Sequence, residues 1–139
     1  MDKERERGAQ LTLLENDYVT VRVDRSEELV LIDRKSLPFQ VLQDFVATVD
    51  DILAAITKAG ATEYGLLYDT RQGPPPGGGA YMKAFTRMAE ELATRFRRVA
   101  AVVADSETLE SVRMYAPSSV QFFINPTAAR AALGQMARE

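Results

Sequence analysis

The fold is decided by the stretch Tyr64-Gly-Leu-Leu-Tyr-Asp-Thr-Arg71, which continues as Gln72-Gly-Pro-Pro-Pro-Gly-Gly-Gly79. The short apolar run before Asp69 predicts a buried central strand. The prolines and glycines beyond it cannot build a strand ladder, and they therefore predict a loop. Apolar residues at helical spacing then predict a helix over about 80–96. A strand, a loop and a helix in this order are typical of open α/β sheets, in which function usually lies at the carboxyl ends of the strands.

The segment before this stretch predicts three strands and one helix. The first strand covers 11–15, the second alternates so that Val19, Val21 and Val23 face the core, and the third is the apolar run 29–32. Four polar residues separate the last two strands, which predicts an antiparallel hairpin. A helix should then begin between Leu37 and Gln40 and end before Gly60. Its predicted buried face consists of Leu42, Phe45, Val49, Ile52, Leu53 and Ile56.

The segment after the central stretch predicts two more strands, each followed by a helix. Residues 99–104 are apolar without alternation, as in a strand covered on both faces. Asp105 or Ser106 should cap a helix that ends before Pro117. Residues 120–124 predict the last strand, and Asn125 followed by Pro126 predicts the start of a final helix. The packing side of that helix is predicted to comprise Ala128, Ala129, Ala132, Leu133 and Met136.

Together these elements predict an α/β fold. It has a mixed central β-sheet with a leading antiparallel hairpin, and helices packed on the sheet. Residues 11–139 form a single domain in this interpretation. Residues 1–10 carry three acidic and three basic side chains without an apolar core, and they predict a disordered charged leader.

The composition excludes several classes of chemistry. The 139 residues include no cysteine and no histidine, which removes thiolate nucleophiles, Cys/His zinc sites and imidazole bases. Acid–base chemistry would fall to carboxylates, lysine or tyrosine, and no catalytic or metal-binding constellation stands out, so we expect no catalytic activity, no metal and no cofactor. The net charge of −3 gives no reason to expect nucleic acid as a partner. No apolar run reaches the roughly 18 residues that span a bilayer, so we expect a cytoplasmic protein without membrane insertion.

Three stretches carry a resemblance to a known family. They are residues 65–71, residues 96–105 with the helix that follows to Tyr115, and residues 120–133. In this order they resemble the STAS-like family, in particular the SpoIIAA-like bacterial proteins. The similarity runs from about Leu11 to the C-terminus and is one of pattern. It implies a STAS/SpoIIAA-like fold and a regulatory role that depends on contact with another protein.

The resemblance also implies that this chain lacks the phosphorylation switch of the family. In anti-sigma-factor antagonists of the STAS family, a strand ends in Asp-Ser-Ser/Thr-Gly, and a partner kinase phosphorylates the second hydroxyl residue. Asp69 and Thr70 match the first two positions. Arg71 stands at the phosphorylated position and Gln72 stands at the glycine. The chain therefore resembles a relative without this switch, although Thr70 remains open as a displaced phosphorylation site.

The candidate site residues follow two strands of the predicted sheet. They are Asp69, Thr70, Arg71, Gly77, Gly78, Gly79, Asp105 and Ser106. As binding residues, they would meet a ligand or partner at one edge of the sheet, with the glycine amides open to an anion. As structural residues, they would satisfy turn amides, pair with a carboxylate, cap a helix or form a linker. The glycine stretch matches neither a P-loop nor a dinucleotide fingerprint.

These observations favour two functions over a third, an enzyme, which would need two carboxylates with separated pKa values in a concave site. The first is a non-catalytic regulatory or scaffolding module that acts through protein–protein contact, with a homodimer among the assemblies it allows. The alternative is a protein that binds a small anionic or lipid-like ligand with the strand end and the Gly/Pro loop at 69–80.

Overall fold

The computed structural model describes residues 10–37, 41–72, 90–92, 94, 96, 98–115 and 120–138. The strands in these ranges are β1 (Gln10–Glu15), β2 (Val19–Asp24), β3 (Leu29–Arg34), β4 (Gly65–Asp69), β5 (Val99–Val102) and β6 (Val120–Phe123). The long helices are α1 (Leu42–Lys58), α2 (Ser106–Tyr115) and α3 (Pro126–Arg138), and residues 90–92 and 94 are helical as well.

The strands form one sheet whose spatial order follows the chain from β1 to β6. β1 pairs with β2, and β2 with β3, in antiparallel orientation. From β3 to β6 every neighbouring pair is parallel. The predicted α/β fold, with a mixed sheet and a leading antiparallel hairpin, is therefore confirmed. None of the helices in the described ranges has the length and hydropathy of a membrane-spanning segment.

Helix α1 covers one face of the sheet. The valines predicted to face the core, Val19, Val21 and Val23, are at most 1% exposed. The predicted face of α1 is also confirmed where its side chains are described, because they are buried in or packed against the same cluster: Phe45, Val49, Ile52, Leu53 and Ile56. Burying one side chain of this size contributes about 1.5–3 kcal/mol, so this face supplies much of the stability of the fold.

Helix α3 packs on the opposite face, over β4, β5 and β6. Ala129 and Leu133, one helical turn apart, are fully buried there against strand side chains. Ala128, which was predicted on the packing side, is exposed instead. The reason is the helical step of about 100° per residue, which turns Ala128 away from the line through Ala129 and Leu133.

Strand β3 is longer than predicted. It continues past Ile32 through Asp33 and Arg34, which pair with Thr20 and Val19 of β2. The polar side chains do not end the strand, because β2 still offers backbone partners at these positions. β1 begins at Gln10, one residue before the predicted start.

Helix α1 begins later than predicted. Its first residue is Leu42, and Val41 occupies the N-cap position without a side-chain capping bond. Residues 38–40, in which part of the predicted start falls, lie outside the described ranges. The same holds for residues 1–9 of the predicted leader, for the Gly/Pro loop at 73–79 and for residues 80–89 of the predicted helix.

The predicted caps of α2 and α3 are confirmed. The Asp105 carboxylate accepts a hydrogen bond from the Thr108 backbone N–H at 2.8 Å, and Asn125 Oδ1 accepts one from the Thr127 N–H at 2.8 Å. Each side chain thus satisfies an amide that the first helical turn leaves free. Helix α2 ends at Tyr115, before Pro117 as predicted.

A buried carboxylate shapes the turn between β2 and β3. Asp24 is only 6% exposed, and its Oδ1 accepts hydrogen bonds from Ser26 N at 3.0 Å, Ser26 Oγ at 2.7 Å and Glu27 N at 3.1 Å. Burial alone would raise the pKa of Asp24. These hydrogen bonds, with one from Gln10, outweigh burial and hold the pKa below its ordinary value.

Asp24 is expected to make the stability of the protein depend on pH. Because the pKa is lower in the folded than in the unfolded chain, ionised Asp24 stabilises the fold above the unfolded-state pKa of 3.8. This stabilisation is lost as the pH falls through the folded-state pKa. The Asp24→Asn variant lacks this stabilisation at every pH. Urea unfolding should therefore show a stability gap between wild type and variant that narrows below about pH 4, whereas a constant gap would contradict this role.

Candidate functional site

The candidate site lies at the carboxyl ends of the parallel strands β3, β4 and β5. Asp33, Asp69 and Val102 are register partners across these three strands. Asp105 follows β5 after two further residues. Because the carboxyl ends of parallel strands lie at the same end of a sheet, the topology brings the predicted residues that follow β4 and β5 to one end of this sheet.

Arg71 and Asp69 form a close ion pair at the end of β4. The Arg71 Nη2 donates to Asp69 Oδ2 at 2.8 Å, Nε donates to Oδ1 at 3.0 Å, and the backbone N–H of Arg71 donates to Oδ1 at 3.1 Å. These hydrogen bonds raise the pKa of Arg71, so the guanidinium stays charged. The Arg71 side chain is nevertheless 44% exposed. The contact thus fixes the turn and keeps a positive charge at the surface.

Thr70 connects the end of β4 to the end of β5. Its backbone N–H and its Oγ1 both donate to the carbonyl oxygen of Val102, at 2.9 and 2.7 Å. The hydroxyl is therefore engaged by a backbone acceptor. Phosphorylation of Thr70 stays a prediction, and it would require this hydrogen bond to break.

The charges at this edge extend onto β2 and β3, which sequence reasoning did not include in the site. The Arg22 Nη2 donates to Asp33 Oδ2 at 2.8 Å, and its Nη1 donates to Gln10 Oε1 at 3.1 Å. Asp33 is the register partner of Asp69 and contributes, after Asp69, to the raised pKa of Arg71. We name Arg22, Asp33, Asp69 and Arg71 the strand-end charge row.

The sequence contains a pattern that predicts the Arg22–Asp33 ion pair. A four-residue turn after Asp24 sets Thr20 opposite Asp33, which leaves Arg22 diagonal to Asp33 on the face away from the valines. Diagonal neighbours on one sheet face lie within reach of a long side chain. The hairpin register, once counted, therefore predicts this ion pair.

The other predicted site residues do not join the charge row. Hydrogen bonds from Thr108 hold the pKa of the Asp105 carboxyl below its ordinary value, and exposed Ser106 is the first residue of α2. In the part of the chain that the structure describes, no hydrogen bond or ion pair connects either residue to Asp69 or Arg71. Their contacts are those of a helix start. Gly77, Gly78 and Gly79 lie outside the described ranges.

A second arginine that sequence reasoning did not single out lies on the opposite face of β3. Arg34 is 7% exposed, and its guanidinium donates to the carbonyl oxygens of Tyr18 at 2.9 Å, Lys35 at 2.8 Å and Leu37 at 2.8 Å. Burial lowers the pKa of Arg34. Alternation along β3 places it on the core face with Ile32, which is the pattern that indicates its burial. Arg34 thus anchors residues 35–37, which follow β3.

Comparison with known proteins does not identify this site. Protein-family models, curated proteins and solved structures give no match to the chain. Within the described ranges no group of three or more carboxylates could hold a metal ion, and no buried side-chain nitrogen or oxygen lacks a hydrogen-bond partner.

The residues at this end of the sheet are charged and partly exposed. Each carboxylate of the row is paired with an arginine, and the Thr70 hydroxyl is paired with a backbone carbonyl. In the order of the strands, the row presents positive, negative, negative and positive charge.

Proposed function

We propose that this chain is a non-catalytic, STAS-like regulatory or scaffolding module that contacts a protein partner through the strand-end charge row. The mixed sheet with its leading hairpin agrees with the fold that the family resemblance implies. Arg71, which stands where the family's antagonists carry the phosphorylated residue, becomes in this proposal a permanent charge at the contact surface. A partner would therefore recognise it without a phosphorylation switch.

The observation that carries the proposal is that charged side chains of the row are paired with each other and are nevertheless exposed to solvent. Arg22, Asp33 and Arg71 hold fixed ion pairs, yet their side chains are 36%, 43% and 44% exposed. Groups held in this way lose little further conformational freedom on binding, which reduces the cost of association. Charges in a fixed pattern also select a partner with the complementary pattern and reject others.

Capture of the partner tests the proposal. Tagged wild-type protein, Arg71→Ala and Arg25→Ala are each used to retain proteins from an extract of the cells that make the chain. Arg25 lies in the turn between β2 and β3, at the other end of the sheet, so its replacement removes the same charge elsewhere. We expect one protein to be retained in stoichiometric amount by wild type and Arg25→Ala, and to be lost with Arg71→Ala.

The stability of Arg71→Ala provides the control for this experiment. An exposed ion pair contributes little, so the free energy of unfolding should change by no more than about 1 kcal/mol. Loss of the captured protein would then reflect a lost contact. Capture that is equal for all three proteins would contradict the proposal. A small anionic or lipid-like molecule retained in place of a protein would favour the ligand-binding alternative at 69–80.

A further inference from the structure

The four members of the strand-end charge row differ in how far their polar atoms are used within the chain. Both carboxylate oxygens of Asp69 accept hydrogen bonds from Arg71, and the Asp69 side chain is only 18% exposed. Both terminal nitrogens of Arg22 donate, one to Asp33 and the other to Gln10. Asp69 and Arg22 therefore act mainly in contacts inside the chain.

Asp33 and Arg71 each keep one terminal atom without a hydrogen bond to any residue that the structure describes. Asp33 accepts from Arg22 through Oδ2, which leaves Oδ1. Arg71 donates to Asp69 through Nε and Nη2, which leaves Nη1. The two side chains are 43% and 44% exposed, so a second molecule can reach both atoms.

These two atoms select opposite charges and belong to neighbouring strand ends. Asp33 and Asp69 are register partners on parallel strands, which lie about 4.8 Å apart. Arg71 pairs with Asp69, and the charge of Asp33 contributes to its raised pKa. Nη1 of Arg71 only donates, so it suits a carboxylate, whereas Oδ1 of ionised Asp33 only accepts, so it suits an ammonium or a guanidinium.

We propose that the contact segment of the partner carries an acidic residue beside a basic one, with the acid bound to Arg71 and the base bound to Asp33. This inference rests on the proposed function and adds the chemistry of the partner. Residues i and i+4 of a helix, about 5–6 Å apart, have a spacing that matches two neighbouring strands. A segment of uniform charge would be attracted by one of the two side chains and repelled by the other.

Neutral variants of similar size test this chemistry. The protein that wild type retains from the cell extract is purified, and its dissociation constant is measured with wild type, Arg71→Gln, Asp33→Asn, Arg25→Gln and Asp50→Asn. The last two are controls at exposed positions in the β2–β3 turn and on α1. We expect the dissociation constant to rise at least about fivefold for Arg71→Gln and for Asp33→Asn, and less than about twofold for the controls. Circular dichroism should show all five proteins equally folded, because none of the replaced side chains is buried.

Charge reversal tests whether the contact is direct. A photo-crosslinking amino acid at exposed Gln72 locates the contact segment of the partner, and the acidic residue of that segment is replaced by lysine. We expect this partner variant to bind Arg71→Glu more tightly than it binds wild type.

The outcomes separate this inference from the proposed function. If the located segment lacks an acid beside a base, if Asp33→Asn binds as tightly as wild type, or if charge reversal restores no binding to Arg71→Glu, the inference is overturned. The proposed function is unaffected by those results. If wild type retains no protein, or Arg71→Ala retains the same protein equally well, the proposed function fails and this inference fails with it.

Discussion

Replacing Arg34 by alanine is expected to lower the free energy of unfolding by about 3 kcal/mol or more, because hydrogen bonds from a charged donor contribute about 1.5–3 kcal/mol each. The Arg34 guanidinium donates to three backbone carbonyls, those of Tyr18, Lys35 and Leu37. Alanine removes all three donors at once from a position that is 7% exposed. Urea unfolding followed by circular dichroism at neutral pH measures the loss.

Two further arginine variants serve as controls for this prediction. Arg22→Ala removes an arginine from the other face of the same hairpin, where its side chain is 36% exposed, and the expected loss is at most about 1 kcal/mol. Arg34→Lys keeps the charge but not the fork of donors, so it should recover only part of the stability. Equal stability of Arg34→Ala and Arg22→Ala would show that Arg34 does not anchor residues 35–37 after β3.

Replacing Ile56 by alanine is expected to cost about 2–5 kcal/mol, which is the range for a large-to-small change in a core. Ile56 is fully buried on α1, within the cluster that includes the valines of β2 and Leu66 of β4. The substitution removes apolar contacts and leaves a cavity that the surrounding strands can fill only in part. Thermal or urea unfolding of the purified variant measures the effect.

Val46→Ala is the matched control, because it shortens an aliphatic side chain on the same helix. Val46 is 46% exposed, and a surface change of this kind usually alters stability by no more than about 0.5 kcal/mol. The difference between the two variants tests the orientation of α1 on the sheet. Losses of similar size would contradict the buried face described for this helix.

Much of the fold could be predicted from the sequence, because its elements carry local patterns. The alternation of Val19, Val21 and Val23 fixes the faces of β2, and the spacing from Phe45 to Ile56 fixes the inner face of α1. Boundaries were less accurate where they depend on a neighbouring element. β3 continues through two charged residues because β2 continues beside it, and no property of Asp33 and Arg34 alone indicates this.

The candidate site was predictable only in its local contacts. That Asp69 satisfies a turn amide and that Arg71 pairs with a carboxylate were among the alternatives open from the sequence, because both contacts join residues two positions apart. The contribution of Arg22 to the strand-end charge row and the burial of Arg34 depend on how β2 and β3 are aligned. Those contacts join residues 11 to 16 positions apart, and residue type by itself does not reveal them.

Site-specific photo-crosslinking tests the central claim most directly, namely that the strand-end charge row contacts a protein. A photo-crosslinking amino acid is placed at Gln72, an exposed residue next to Arg71, and in a second protein at Gln121, an exposed residue of β6. Both proteins are irradiated in the cells that make the chain. We expect one protein to be crosslinked from position 72 and not from position 121, and the crosslink to disappear when Arg71→Ala is added. No protein crosslinked from position 72, or the same proteins crosslinked from both positions, would contradict the claim.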